Sequence, residues 1–327
     1  MKTIYLTIVL LLKFSIETSF SHCLSLEKIK FNSNLSVIGD YAFYNCKSIK
    51  QISLSDSVTE LGREVFSQCE SLEKITLSNK ITQISSSLFR NCSSLVSVNI
   101  PNSVTEIQSS AFSNCISLKE ILIPSSVKQI GWYAFRNCSN LTTVKINGCV
   151  ALGRCSFIDC KNLKNVIFTS EIQDLGSNTF ENCVSLKTIT FPNIQDKSIH
   201  YVFLGCANLE KVIFAEGATE IILDASDFSD CKKLKSIELP PNTKIEWSES
   251  KAGKLIGSGN GMQYFGSILV DSDLSENELK EYYKKHNKYI EVVPLQENNS
   301  FRITMQGNRN IDSEFILFLL DLDLRGH

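Results

Sequence analysis

A Phe-x-x-Cys unit returns ten times along this chain, at Phe20/Cys23, Phe43/Cys46, Phe66/Cys69, Phe89/Cys92, Phe112/Cys115, Phe135/Cys138, Phe157/Cys160, Phe180/Cys183, Phe203/Cys206 and Phe228/Cys231. The step is 23 residues, apart from one of 22 and one of 25. A fixed period of this order means stacked supersecondary units, each burying its apolar side only against its neighbours. The period overrides what a length of 327 residues would otherwise suggest, one large or two ordinary domains, because an array needs no internal boundary.

Around each Phe the apolar spacing predicts two extended arms. After it come Leu72-x-x-Ile75-x-Leu77, Leu95-x-x-Val98-x-Ile100, Leu118-x-x-Ile121-x-Ile123 and Leu141-x-x-Val144-x-Ile146. The last two members of each alternate as in a strand with one face inward, and one such strand per repeat stacks into a parallel ladder. Pro101 and Pro124 end strands of this kind. Before each Phe, at eight and five residues, lie Val58/Leu61, Ile81/Ile84, Val104/Ile107 and Val127/Ile130, the return arm of the coil. Gly39 and Gly131 are placed to free the backbone where the chain reverses.

The ladder residues Phe43, Phe66, Phe89, Phe112, Phe135, Phe180 and Phe203 are expected in the core, with Cys46, Cys69, Cys92, Cys115, Cys138, Cys183 and Cys206 beside them. Cysteine is a small apolar residue that is often buried, so one per repeat at one register reads as a core column rather than a disulfide framework. Of the 12 cysteines, Cys149 and Cys155 lie off the ladder; a local disulfide or metal there stays open, although their spacing to Cys160 matches no zinc template. Asn45, Asn91, Asn114, Asn137 and Asn182 directly precede ladder cysteines, where a short amide is expected to bond the backbone of the turn.

The strings Ile-Pro-Asn-Ser-Val-Thr-Glu-Ile-Gln-Ser-Ser-Ala-Phe-Ser-Asn-Cys, residues 100–115, and Ile-Pro-Ser-Ser-Val-Lys-Gln-Ile-Gly-Trp-Tyr-Ala-Phe-Arg-Asn-Cys, residues 123–138, resemble the BspA-type leucine-rich repeat. The resemblance covers about residues 20–247. It implies a β-rich repeat solenoid of α/β type, with a parallel β-ladder on one face and short helical turns. It also implies proteins described in many cases as surface antigens or adhesins of host-associated microbes. The family motif carries no catalytic residues. Residues 147–157 and 215–228 depart from the pattern and are expected to be its least regular parts.

Four segments are expected. Residues 1–21 have a basic start and a short apolar run, Ile8 to Leu12, as in a secretory signal peptide; Leu6, Ile8 and Leu12 equally suit a degenerate first rung, with Ser15 breaking the match. The repeats occupy 22–247. Residues 248–261 are small, polar and glycine-rich and read as a linker. Residues 262–327 read as a capping segment, with a helix from Ser275-Glu-Asn-Glu278 through about Ile290 and an apolar stretch from Phe315 to Leu320 too short to span a membrane.

The chemistry the sequence offers is slight. With 33 basic and 35 acidic residues there is no broad positive surface for nucleic acid. The four histidines, His22, His200, His286 and His327, stand at no metal-ligand spacing, no nucleophile motif occurs, and no cofactor is expected. What remains is surface: the outward side chains Lys74, Thr76, Ser97, Asn99, Glu120, Leu122, Thr143 and Lys145, expected to line the concave strip of a solenoid. The expected function is non-enzymatic binding of a protein or cell-surface ligand by a secreted or surface-displayed chain. The alternative is a cytoplasmic scaffold that docks protein partners on the same face.

Overall fold

The computed structural model describes residues 15–16, 19–31, 33–148, 150–195, 199–215, 220–223, 225–228, 230–234, 236–238, 244–250, 253–260, 263–271, 277, 280–281, 290–294, 300–307 and 310–311. From Ser15–Ile16 to Lys244–Ser250 the described chain is a parallel β-solenoid. The front ladder runs through Gln51–Ser53, Lys74–Thr76, Ser97–Val98, Glu120–Ile123, Thr143–Ile146, Asn165–Phe168, Thr188–Phe191, Lys211–Phe214 and Ser236–Glu238. Register follows the repeat: Lys74 pairs with Ser97, 23 residues on, and Thr143 with Asn165, 22 on, where the repeat itself is short.

The return arm is a second parallel ladder. It includes Val37–Ile38, Glu60–Leu61, Gln83–Ile84, Glu106–Ile107, Gln129–Ile130, Val150–Leu152 and Ile172–Leu175. The irregular repeat leaves its mark here as a register shift between Val150 and Ala151. In the expanded repeat, Ala225–Phe228 forms a single 3-10 turn.

The turns that carry Phe differ from the short helical turns expected. They form a third cross-rung system instead. From Phe43 to Phe203, the residues two before and two after each ladder Phe take left-handed backbone, as at Ser110 (φ 58) and Asn114 (φ 62) around Phe112. This aims alternate N–H groups at the next rung: Ser110 to the Trp132 carbonyl (2.9 Å), Phe112 to Ala134 (2.7 Å) and Asn114 to Arg136 (2.8 Å). The N–H groups between them close the turn, as from Ser113 to the Ser110 carbonyl (3.0 Å). An α-helix would direct these groups along its own axis and leave the next rung without partners.

The left-handed geometry also explains asparagine before cysteine, since Asn tolerates that region better than most residues. Its amide bonds its counterpart one rung away rather than the backbone: Asn114 Nδ2 donates to Asn91 Oδ1 (2.8 Å) and Asn137 Nδ2 to Asn114 Oδ1 (2.9 Å). Glycine at the reversal has a different reason from the one expected. Gly131 does not use positive φ; a Cβ there would lie 2.5 Å from the Ser109 nitrogen, so rung-to-rung approach requires its absence.

Inside, the rings stack face to face from Phe20 to Phe228 with centroids 5.1 to 6.3 Å apart. Phe43, Phe66, Phe89, Phe112, Phe135, Phe180 and Phe203 are fully buried, as are Cys46, Cys69, Cys92, Cys115, Cys138, Cys183 and Cys206. The stack reaches further toward the amino terminus than residue 22. Ser15–Ile16 pairs in parallel with Val37–Ile38, and Ile16 rather than Ser15 takes the inward place opposite Ile38, one residue nearer its Phe than in later repeats. Residues 1–14 of the apolar leader lie outside the described residues.

Residues 248–261, expected as a linker, are strand over most of their length. Lys244–Ser250 lies parallel to Glu220–Leu223 on one side and antiparallel to Gly253–Asn260 on the other. The antiparallel run continues through Gln263–Asp271, Ser300–Gly307 and Ile290–Pro294. Asn310–Ile311 pairs antiparallel with the last front strand, Ser236–Glu238. Ile290 is thus strand; helical backbone is described at Asn277, Lys280 and Glu281, and Phe315 to Leu320 lies outside the described residues.

Because a truncated ring in this column leaves a cavity that neighbouring rungs cannot close, Phe112→Ala is expected to cost about 3–5 kcal/mol. Chemical denaturation of the two proteins side by side measures it, and an unchanged midpoint would remove the stack from the core.

Candidate functional site

The repeat's alternation places one set of front-ladder side chains inward and the other outward. The inward set, such as Ile75, Ile121 and Val144, is buried. Of the outward set, Lys74, Thr76, Ser97, Asn99, Glu120, Leu122 and Lys145 are exposed and Thr143 is half-buried. In-register pairing brings them into columns: Lys74 beside Ser97 in one, and Leu122 beside Lys145 in another, followed by Ile167. Leu122 (48% exposed) and Ile167 (45%) are large apolar groups open to solvent on this face, joined by Val96 on the flank.

At the amino-terminal end the face holds an open depression of about 750 Å³, lined by Glu27, Lys28, Lys50, Gln51, Ser53, Glu73, Lys74 and Thr76 among others. Sequence reasoning reached Lys74 and Thr76 but missed Glu27, Lys28, Lys50 and Glu73. Lys50 and Glu73 sit just before their strands, outside the alternating pattern, and Glu27 and Lys28 belong to a repeat whose front arm is not a paired strand. Lysines and glutamates interleave here, which suits hydrogen-bonding and ionic contacts of both signs rather than one strongly charged ligand.

The ladder thiols are chemically quiet. From Cys46 to Cys231 each donates from Sγ to the carbonyl of the Phe one rung earlier, as Cys92 to Phe66 (3.1 Å), Cys115 to Phe89 (3.2 Å) and Cys138 to Phe112 (3.2 Å). Burial pushes the Cys46 and Cys206 thiols from 9.0 up to about 12, and raises Cys92, Cys115, Cys138, Cys160 and Cys183 well above their ordinary range. A nucleophilic thiol needs the opposite, a thiolate favoured by exposure and a neighbouring cation. Cys155 is buried and off the ladder in a left-handed position; Cys149 lies outside the described residues. Among the described residues, no cluster of three or more His, Cys, Asp or Glu is arranged to hold a metal, and no helix is long and apolar enough to cross a membrane.

Stacked in-register rungs, a phenylalanine column and an exposed strand face define a leucine-rich-repeat solenoid. The chain belongs to the BspA type leucine rich repeat family, whose model matches residues 16–142 and 128–249 in six copies. Similar solved structures include a T. pallidum leucine rich repeat protein, 26% identical over 53% of this chain and 83% of that one, with a TM-score of 0.45. A leucine-rich repeat protein from Bacteroides ovatus is 23% identical over 72% of this chain and 76% of that one (TM-score 0.41). A leucine rich cell surface protein from Faecalibacterium prausnitzii is 22% identical over 72% and 88% (TM-score 0.31). Comparison with curated proteins finds no match.

Two expectations follow from the thiol column. Native protein resists thiol reagents at the ladder positions from Cys46 to Cys231 until it is unfolded, and rapid labelling there at neutral pH would contradict the packing. Unfolded thiols lose their protons from about pH 9, whereas the folded ones hold them to about 12 or beyond, so unfolding releases protons in that interval. The thiol contribution is therefore constant below pH 9 and declines as pH rises toward 12, readable as a falling Tm over that range.

Proposed function

We propose that this chain is a non-enzymatic repeat protein that binds a protein or cell-surface ligand through the outward face of its front ladder, in the manner of a surface antigen or adhesin. The observation that carries the reading is the column arrangement itself. Neighbouring rungs hold outward side chains at fixed strand spacing, and the apolar members Leu122 and Ile167 stand exposed among polar ones. A long face of this kind offers a partner many contacts on a backbone that needs no reordering, which limits the entropic cost of binding. Family membership supports the surface role, since many relatives of this type are described as surface antigens.

A cytoplasmic scaffold using the same face is the second reading, and one observation favours it. Removal of residues 1–21 would strip Ile16 from the return ladder and Phe20 from the ring stack, uncovering Phe43. Secretion with an intact first rung therefore calls for processing before Ser15.

Fractionation of the native cell with amino-terminal sequencing decides between them. Protein at the surface or in the medium that retains residues 15–21 is the expected result; an intact Met1 confined to the cytosol would sink the surface reading. For the face itself, Leu122→Glu combined with Lys145→Glu is expected to reduce adhesion of protein-coated beads to matrix proteins and host cells about tenfold or more, with an unchanged Tm. Undiminished adhesion would move the site elsewhere.

A further inference from the structure

The turn edge of the solenoid, opposite in character to the mixed front face, concentrates tryptophan, tyrosine and arginine, the side chains that dominate binding energy at protein interfaces. Three residues before each Phe, consecutive rungs form a column that includes Asp40, Arg63, Trp132 and Arg154. Near the amino terminus this column is satisfied within the chain. Arg63 Nε lies 2.9 Å from Asp40 Oδ2, its backbone N–H donates to Asp40 Oδ1 (2.8 Å), and its guanidinium stands 5.3 Å from the Tyr41 ring centroid.

The same arrangement recurs further along with one part exchanged. Arg154 occupies the place of Arg63 and Tyr133 that of Tyr41, and the Tyr133 N–H donates to the Arg154 carbonyl (3.1 Å). Where Asp40 supplies the carboxylate, this pair of rungs carries Trp132, 62% exposed. Gly153 leaves room for the indole, since a Cβ there would come within 2.9 Å of Trp132 Cδ1. Arg136 places its guanidinium 5.7 Å from the Tyr133 ring centroid. Among the described residues neither Arg136 nor Arg154 has a carboxylate partner.

We propose that Trp132, Tyr133, Arg136 and Arg154 form a second docking surface, which takes a segment of a partner protein presenting a carboxylate beside an apolar side chain. The partner's carboxylate would stand to Arg154 as Asp40 stands to Arg63, while its apolar neighbour covers the indole. Two unneutralised guanidinia supply the charge complementarity, and the exposed Trp supplies the apolar area. Rigidity comes from the turn backbone, which is fixed to the rungs on both sides. The front face takes no part in this surface, so the two are separable by substitution.

The chain has two tryptophans, Trp132 and Trp247, so Trp247→Phe in the full-length protein leaves Trp132 as the reporter. Three synthetic peptides are titrated: Glu alternating with Leu, Glu alternating with Ser, and Lys alternating with Leu; a uronate oligosaccharide forms a fourth arm. The expected result is a shift of Trp132 emission with the Glu/Leu peptide, weakened by salt and at least about tenfold weaker with the Glu/Ser and Lys/Leu peptides. With fluorescently tagged Glu/Leu peptide, Arg154→Glu and Trp132→Asp, which rebuilds the internal ion pair, are expected to lose about tenfold or more in affinity, whereas Leu122→Glu binds as the parent does. No response to the Glu/Leu peptide, equal response to the Lys/Leu peptide, or undiminished binding by Arg154→Glu and Trp132→Asp would overturn the proposal. Binding of the oligosaccharide alone would assign the edge to a glycan and overturn it equally. Loss of binding in Leu122→Glu as well as in the edge variants would return the contact to the front face.

Discussion

From Phe20 to Phe203, each ladder phenylalanine is held twice by its own carbonyl. The oxygen of Phe89 accepts the N–H of Cys92 in the same turn (3.0 Å) and the thiol of Cys115 one rung later (3.2 Å). The same double acceptance repeats at Phe43, Phe66, Phe112, Phe135, Phe157, Phe180 and Phe203. The first bond sets the curvature that sends the ring inward, and the second ties that curvature to the neighbouring turn. Individually, thiol hydrogen bonds are weak. Their value here is geometric: a buried carbonyl that would otherwise keep an idle lone pair gains a donor that is also apolar enough for the core. Ring stacking, strand register and outward columns all follow once consecutive turns are locked in this spacing.

How far the fold could be read in the residues depends on what kind of force shaped each part. Apolar burial writes itself into sequence directly, so the ring and thiol columns and the alternating front strands were legible from spacing alone. Backbone conformation writes itself less clearly. Glu64, Ser87 and Ser110 adopt left-handed φ without the glycine or asparagine that would announce it, because cross-rung hydrogen bonds on both sides hold them there. A sequence expectation of helical turns rests on local preference, and here non-local pairing overrides it. The antiparallel pairing of Lys244–Ser250 with Gly253–Asn260 was hidden for a related reason: the second strand is glycine-rich, and its pairing rather than its side chains defines it.

The candidate surfaces divide along the same line. Outward strand positions can be counted off from the inward ones, so the front strip was accessible to sequence reasoning, and its exposed apolar members fell on the expected parity. The depression at its amino-terminal end was not, since Lys50 and Glu73 border strands rather than alternate within them. Nor was the grouping of Trp132 with Arg154, because it depends on knowing that residues three before successive phenylalanines stand in one column. Asp40 and Arg63 demonstrate that column directly by meeting across it.

The thiol ladder also gives folding a deadline. While the chain is extended, its repeated cysteines are accessible, have ordinary acidity and are chemically alike, so an oxidant could couple any two of them and trap the wrong rungs together. Once stacked, each ladder sulfur from Cys46 to Cys231 is enclosed and occupied with a carbonyl, and the same oxidant finds no thiolate there to attack. Stacking thus shields thiols that the extended chain leaves open, so rung-by-rung closure and thiol oxidation compete for the same sulfurs while the chain folds.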